Sequence, residues 1–225
     1  MLRRIRNLEG LTLAAVDGHA GRIRDIYFDD ETWRVRYFVA DTSPWPTGIA
    51  VAIPPARVTG VNARDGSVEV DLTKTKIERN PLLDDKRPVS SQLREHDAGR
   101  VGGPMNWGFP GELAAGQTTL RRPHLRSARH VTGFRVHATD GALGQLVDLM
   151  VDDTDWSIPY LITGTNGKAS GLKLLSTGCV DRIEVAEPRI LTRVSREDMA
   201  THGSAPTVAP VERPDLPELA GECRG

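Results

Sequence analysis

The sequence predicts a mainly β protein built from two tandem small barrels or sandwiches, and three observations carry that prediction. The chain repeats itself at one fixed offset, its apolar residues alternate in short runs bounded by turn signals, and helical periodicity is largely absent. Sliding the 225 residues by 123 positions lays Leu2, Arg3, Arg6, Gly10 and Ala15 on Leu125, Arg126, Arg129, Gly133 and Ala138. The match continues with Asp17-Gly18, Gly21, Asp25, Asp29-Asp30, Trp33 and Tyr37 on Asp140-Gly141, Gly144, Asp148, Asp152-Asp153, Trp156 and Tyr160, giving 13 identities in 36 positions. Beyond Ile53 the offset falls to 122, pairing Val58, Val61, Val68 and Leu72 with Val180, Ile183, Ile190 and Val194, so one residue has been lost near Pro54-Pro55.

Within the first copy, Leu11 to Val16 reads as a strand closed by Asp17-Gly18, a pair in which glycine supplies a positive φ. Arg22 to Phe28 is the next strand, and the polar run Asp29-Asp30-Glu31-Thr32 connects it to Trp33 to Ala40. There Val35, Tyr37 and Val39 alternate with Arg34, Arg36 and Phe38, the period of a strand with one face in a core. Ile49, Val51 and Ile53 alternate again before Pro54-Pro55 stops the strand, and Asp65-Gly66 joins Val58 to Ala63 with Ser67 to Leu72. Thr73 to Glu78 reads as a short helix ahead of Asn80-Pro81. These marks divide the chain into copy one (1–83), a Gly/Pro/aromatic linker (84–123), copy two (124–205) and a Pro-rich tail (206–225) expected to be disordered.

Composition narrows the function classes. Twenty-nine Lys and Arg against 30 Asp and Glu leave a net charge of −1, so no bulk electrostatic attraction directs the chain to nucleic acid or anionic lipid. No stretch approaches the roughly 18 uninterrupted apolar residues of a membrane-spanning helix. Cys179 and Cys223 are the only cysteines, which argues against a disulfide framework and for a reducing, cytoplasmic setting.

Each copy resembles the PRC-barrel domain. The resemblance rests on Gly10 to Asp17-Gly18-x-x-Gly21-x-x-x-Asp25, then Phe28-Asp29-Asp30, Trp33, Val39-Ala40-Asp41, Ile53-Pro54-Pro55 and Leu72-Thr73 to Asn80-Pro81, and it recurs from Gly133 to Ile162. It covers residues 2–81 and 125–204. The resemblance implies two six-stranded, partly open β-barrels used as docking modules in bacterial proteins. The family includes the cytoplasmic part of the photosynthetic reaction-centre H subunit and the C-terminus of a ribosome maturation factor. The chain is expected to differ from both, having neither the transmembrane helix of the first nor the preceding domain of the second. Copy two departs from the pattern, with Gly164 in place of Asp41 and Ser176-Thr177 in place of Ile53-Pro54, so the two barrels are expected to present different surfaces.

No catalytic constellation emerges, and the expectation is a non-enzyme without cofactor or metal. The paired carboxylates Asp29-Asp30 and Asp152-Asp153 read as solvated hairpin residues, because neither copy supplies the alternating acidic loop that calcium requires. Asp25 and Asp148, mid-strand, read as structural hydrogen-bonding groups. His19, His96, His124, His130, His137 and His202 lack metal-ligand spacing. Gly18-x-x-Gly21 and Gly141-x-x-Gly144 are turn glycines without the helix a phosphate loop needs.

Two binding surfaces remain. Met105, Trp107 and Phe109 in the linker, with Trp45, are candidate contacts to a protein partner, since aromatics concentrate in interface cores; an internal strap between the barrels would use the same residues. Arg3, Arg6, Arg126 and Arg129, just ahead of each barrel, are candidate contacts to RNA. The leading expectation is an adaptor that binds a protein and is itself open to homo-oligomerisation. The alternatives are an RNA- or ribosome-associated factor and a protein of electron transport similar to the H subunit but without its anchor.

Overall fold

A computed structural model describes residues 1–42, 50–62, 65–79, 82–83, 124–164 and 172–201. Among the described residues, fifteen strands form two sheets. In the first copy, β2 (Thr12–Ala15), β3 (Gly18–Asp29), β4 (Arg34–Asp41) and β5 (Ala50–Ile53) run antiparallel in sequence order, while β6 (Val58–Asn62) pairs with β7 (Ser67–Val70) and β7 lies parallel to β2. The resulting path β6-β7-β2-β3-β4-β5 is six strands long and does not close. The second copy repeats it with β10 (Arg135–Ala138), β11 (Gly141–Asp152), β12 (Tyr160–Gly164), β13 (Lys173–Ser176), β14 (Val180–Glu184) and β15 (Arg189–Thr192), ordered β14-β15-β10-β11-β12-β13. The short helix expected after the last strand of copy one forms at Lys74–Glu78 and buries Ile77. A helix at Arg196–Thr201 takes its place in copy two.

The turn chemistry follows the sequence. Gly18 and Gly66 take φ of +114° and +62° after their aspartates. Gly21 is held more tightly: a Cβ there would lie 2.1 Å from the Asp41 carbonyl oxygen, so only glycine lets β3 approach β4 at this point. A bulge at Arg24, between Ile23 and Asp25, bends the twelve-residue β3, and a second, opposite Tyr27 and Phe28, places its extra residue, Arg36, on β4. The second bulge alters the simple alternation expected of β4. Val35, Phe38 and Ala40 enter the main core, whereas Val39 joins Tyr27, Tyr37, Ala50 and Ala52 in a separate cluster on the outer face of the sheet.

The strands that open each copy are exchanged. β1 (Leu2–Arg4) pairs antiparallel with β11, Leu2 opposite Asp152 and Arg4 opposite Met150. β9 (Leu125–Ser127) pairs with β3, Leu125 opposite Asp29 and Ser127 opposite Tyr27. Repeat alignment groups residues 2–8 with the first barrel, yet they dock on the second, and residues 125–131 dock on the first. The chain returns to its own barrel through Gly10 and Gly133, whose amides donate to Ile23 O at 2.7 Å and Leu146 O at 2.8 Å. A further strand, β8 (Leu82–Leu83), adds to the edge of β5.

Exchange merges the hydrophobic interior. One cluster takes Ile5, Leu13, Phe28, Phe38 and Val68 together with Val131, Val136, Leu149, Leu161 and Ile190 from the other half. Two smaller clusters on the outer faces are related by the same repeat. Leu125 completes the one with Tyr27, Val39, Ala50 and Ala52, and Leu2 completes the one with Met150, Ile162 and Leu174.

Candidate interaction surface

The seam between the repeats is where the repeated polar residues meet. Arg3 Nε lies 2.6 Å from Asp153 Oδ2, and Arg126 Nε lies 2.7 Å from Asp30 Oδ2. These are the same pair in the two copies, each arginine crossing to the other half's aspartate. With side chains only 6% and 18% exposed, Asp30 and Asp153 are not the solvated hairpin residues the sequence suggests. The seam covers them, and the arginine only partly offsets the lost hydration, since burial pushes Asp30 up even with Arg126 and His124 beside it. His124 Nδ1 lies 2.9 Å from Asp30 Oδ1, and the Met1 ammonium sits in the corresponding place, 2.7 Å from Asp153 Oδ1 and 3.1 Å from Asp152 Oδ1. Asp29 is a turn residue as expected, accepting from the Glu31 and Thr32 amides.

Asp25 and Asp148 are structural acceptors. Each follows a bulge that interrupts the ladder, and each carboxylate accepts the next residue's amide, Ile26 at 2.7 Å and Leu149 at 2.8 Å. The exchanged segments supply the rest. Ser127 Oγ donates to Asp25 Oδ2 at 2.5 Å and the Arg129 amide to Asp25 Oδ1 at 3.3 Å, while the Arg6 amide donates to Asp148 Oδ1 at 3.3 Å. Ser127 also caps the helical turn Ala128–Val131 by accepting from the His130 amide at 3.0 Å. Burial pushes both carboxyls above their ordinary range despite these donors. Glu9 is pushed up as well, by its own burial and then by the field of Asp25. At Asp152 burial is outweighed by the Thr154 hydroxyl and amide and by the Met1 ammonium, which bring it down to about 2.

The hairpin tips form a second reciprocal contact. Val35 N–H donates to Trp156 O at 2.9 Å and Ile158 N–H to Trp33 O at 2.7 Å, with Arg34 bridging to Ser157. Trp156 meets Phe38 edge-on at 4.8 Å, so a ring from the second half packs against the core of the first; Trp33 stacks on Phe28 at 5.7 Å. Both tryptophans hold positive φ, 52° and 60°, a conformation unfavourable for a bulky residue and maintained here by the cross-repeat bonds.

Of the arginines proposed to meet RNA, Arg3 and Arg126 have their guanidinium groups on aspartates. Arg6 and Arg129 lend the seam their amides, and Arg129 Nη1 also reaches Arg24 O at 3.5 Å. Met105, Trp107, Phe109 and Trp45 lie outside the described residues. A cleft of about 790 Å³ opens in copy one between the start of β3, the end of β4 and the helix Lys74–Glu78, with His19, Arg22, Arg24, Asp41, Lys74 and Glu78 on its walls. Sequence reading missed it, because its charged residues are scattered over 60 positions. Among the described residues no His, Cys, Asp and Glu gather into a metal-holding group, and no helix is long and apolar enough to cross a membrane. Cys179 is wholly buried and disulfide-bonded, which corrects the reading that the two cysteines argue against a disulfide.

Two interlocked, partly open β-barrels make up the described residues. Residues 2–77 match the model of the PRC-barrel domain, and this part of the chain is a PRC-barrel domain, a module of protein interaction and assembly. The second repeat lies beyond the matched residues and is tied to the first by its strand order and register. No curated protein matches the chain.

Proposed function

We propose that the chain is a non-enzymatic adaptor whose two repeats act as one body and offer a joint surface to a protein partner. The observation that supports this reading is the reciprocal strand exchange, which commits the repeated acidic and basic residues to holding the halves together. Chemistry of the same carboxylates would require them free to reach a substrate, and Asp25 and Asp148 instead accept amides and a hydroxyl. The engagement of Arg3 and Arg126 favours a protein partner over RNA, since phosphate contacts would first have to break buried ion pairs.

Met105, Trp107 and Phe109 in the linker, with Trp45, are the proposed contact residues, because large aromatic anchors supply most of the energy of small interfaces. The test is affinity capture of the tagged chain from its native lysate with and without ribonuclease, repeated with Trp107→Ala/Phe109→Ala. A defined protein that survives ribonuclease and is lost with the double variant is the expected result. Ribosomal proteins recovered only without ribonuclease would overturn the adaptor reading.

A further inference from the structure

The contact between the repeats is reciprocal in its strand pairs, its arginine–aspartate pairs and its hairpin-tip backbone bonds. Copy two receives Leu2 and Arg3, and copy one receives Leu125 and Arg126. Each hairpin tip bonds the backbone of the other. The covalent link between the first repeat and the second is the segment 84–123, forty residues with a contour of roughly 140 Å. None of the seam contacts described above comes from that segment. The same seam therefore forms whether the two repeats belong to one molecule or to two.

We propose that this chain forms a closed dimer by exchanging whole repeats, the first repeat of each molecule seating the second repeat of the other along the Leu2–Leu8 and Leu125–Val131 seam. A second copy is favoured over a foreign peptide by the balance of contacts. A foreign strand entering either groove must displace a tethered strand whose effective concentration is of the order of millimolar, and it leaves the displaced Leu-Arg segment exposed. A second copy brings an acceptor for every donor it displaces, so monomer and dimer contain the same strand pairs, ion pairs and buried leucines. Only the tether's effective concentration separates them, and the dimer fills as the local chain concentration approaches that value. The product carries two complete seams joined by two linkers, which doubles the surface offered to any partner. The proposal rests on the seam geometry and holds whether or not the linker aromatics bind a protein.

The repeated ion pair provides a selective test. Asp30→Arg sets two cations together at the copy-one groove, and Arg126→Asp sets two anions there, so each variant disfavours its own seam in monomer and self-dimer alike. In a mixed dimer the introduced arginine of one chain faces the introduced aspartate of the other, and the native Asp30 and Arg126 meet across the second seam. The two variants, one isotopically labelled, are unfolded in urea, refolded together and weighed by native mass spectrometry; the doubly substituted chain, with the pair reversed internally, is refolded alone. The expected result is a one-to-one heterodimer exceeding either self-dimer about tenfold or more, with the double variant predominantly monomeric. Monomers of two masses and no mixed species, or self-dimers as abundant as mixed ones, would overturn the proposal. Because either variant could misfold alone, labelled and unlabelled wild-type chains are also co-refolded at about millimolar concentration, where the tether no longer dominates. Mixed dimers are expected there, and their absence would likewise overturn it.

Discussion

Leu125→Ala removes the apolar anchor of β9 in the first barrel. Leu125 is 3% exposed and packs in the outer-face cluster with Tyr27, Val39, Ala50 and Ala52. Truncating a fully buried leucine costs about 2–5 kcal/mol, the spread reflecting how far the site collapses. The ladder to β3, the Arg126–Asp30 pair and the bonds of Ser127 and Arg129 to Asp25 still seat the strand, so we take about 3 kcal/mol, below the middle of that range, as the working value. In a body of roughly 200 residues each kcal/mol moves the midpoint by about 2–4 °C, so calorimetry should find a Tm lowered by about 6–12 °C. The shape of the transition is equally informative. Because Leu125 and Val131 dock on copy one while the rest of their repeat lies in copy two, the loss should appear in one cooperative transition that includes both repeats. A shift of under about 1 °C would refute docking of the strand, and a split transition with one half unmoved would refute the shared core.

The carboxylates predict a pH dependence. Burial raises Asp25 and Asp148, so their contribution to stability is complete below the ordinary Asp value and is lost as pH rises through their raised native values. Asp25→Asn should therefore flatten the fall in urea-unfolding stability on going upward from about pH 4, and an unchanged slope would contradict the assignment. Asp152, held at about 2, acts in the opposite sense: its contribution is present above the ordinary Asp value and disappears as pH falls to about 2. Gly21→Ala should destabilise far more than Gly10→Ala. Both glycines have positive φ, worth about 1–3 kcal/mol with a side chain, but only at Gly21 does the new Cβ strike backbone, whereas at Gly10 nothing lies within 4 Å. Equal Tm losses in the two variants would show that the approach of β3 to β4 is looser than the structure has it.

Much of each barrel is legible in sequence because its determinants are local. Asp17-Gly18 and Asp65-Gly66 turn the chain, Pro54 ends a strand, and the apolar runs fall on β2 to β7. Asp25 and Asp148 read correctly as structural acceptors, since a mid-strand carboxylate has few other stable fates. The exchange was illegible for a specific reason. Leu2-Arg3-x-x-Arg6 and Leu125-Arg126-x-x-Arg129 present the same anchors, and Asp30 and Asp153 present the same acceptor, so docking within a repeat or across repeats satisfies one pattern equally well. Asp30 and Asp153 look solvated for the same reason, as only the crossing arginine covers them. The alternation along β4 failed at Tyr27 and Phe28, where a bulge shifts the register against Val35.

The central claim, that the exchanged strands make one body of two repeats, is tested most directly by cutting the covalent link. A specific protease site placed within 84–123 of the full chain is cleaved in native buffer, and the product is followed by size exclusion with light scattering. The account predicts that the cleaved halves remain together at the mass and unfolding midpoint of the intact chain, and separate when Leu2→Ala and Leu125→Ala are combined. Halves that part on cleavage of the wild-type protein would contradict it.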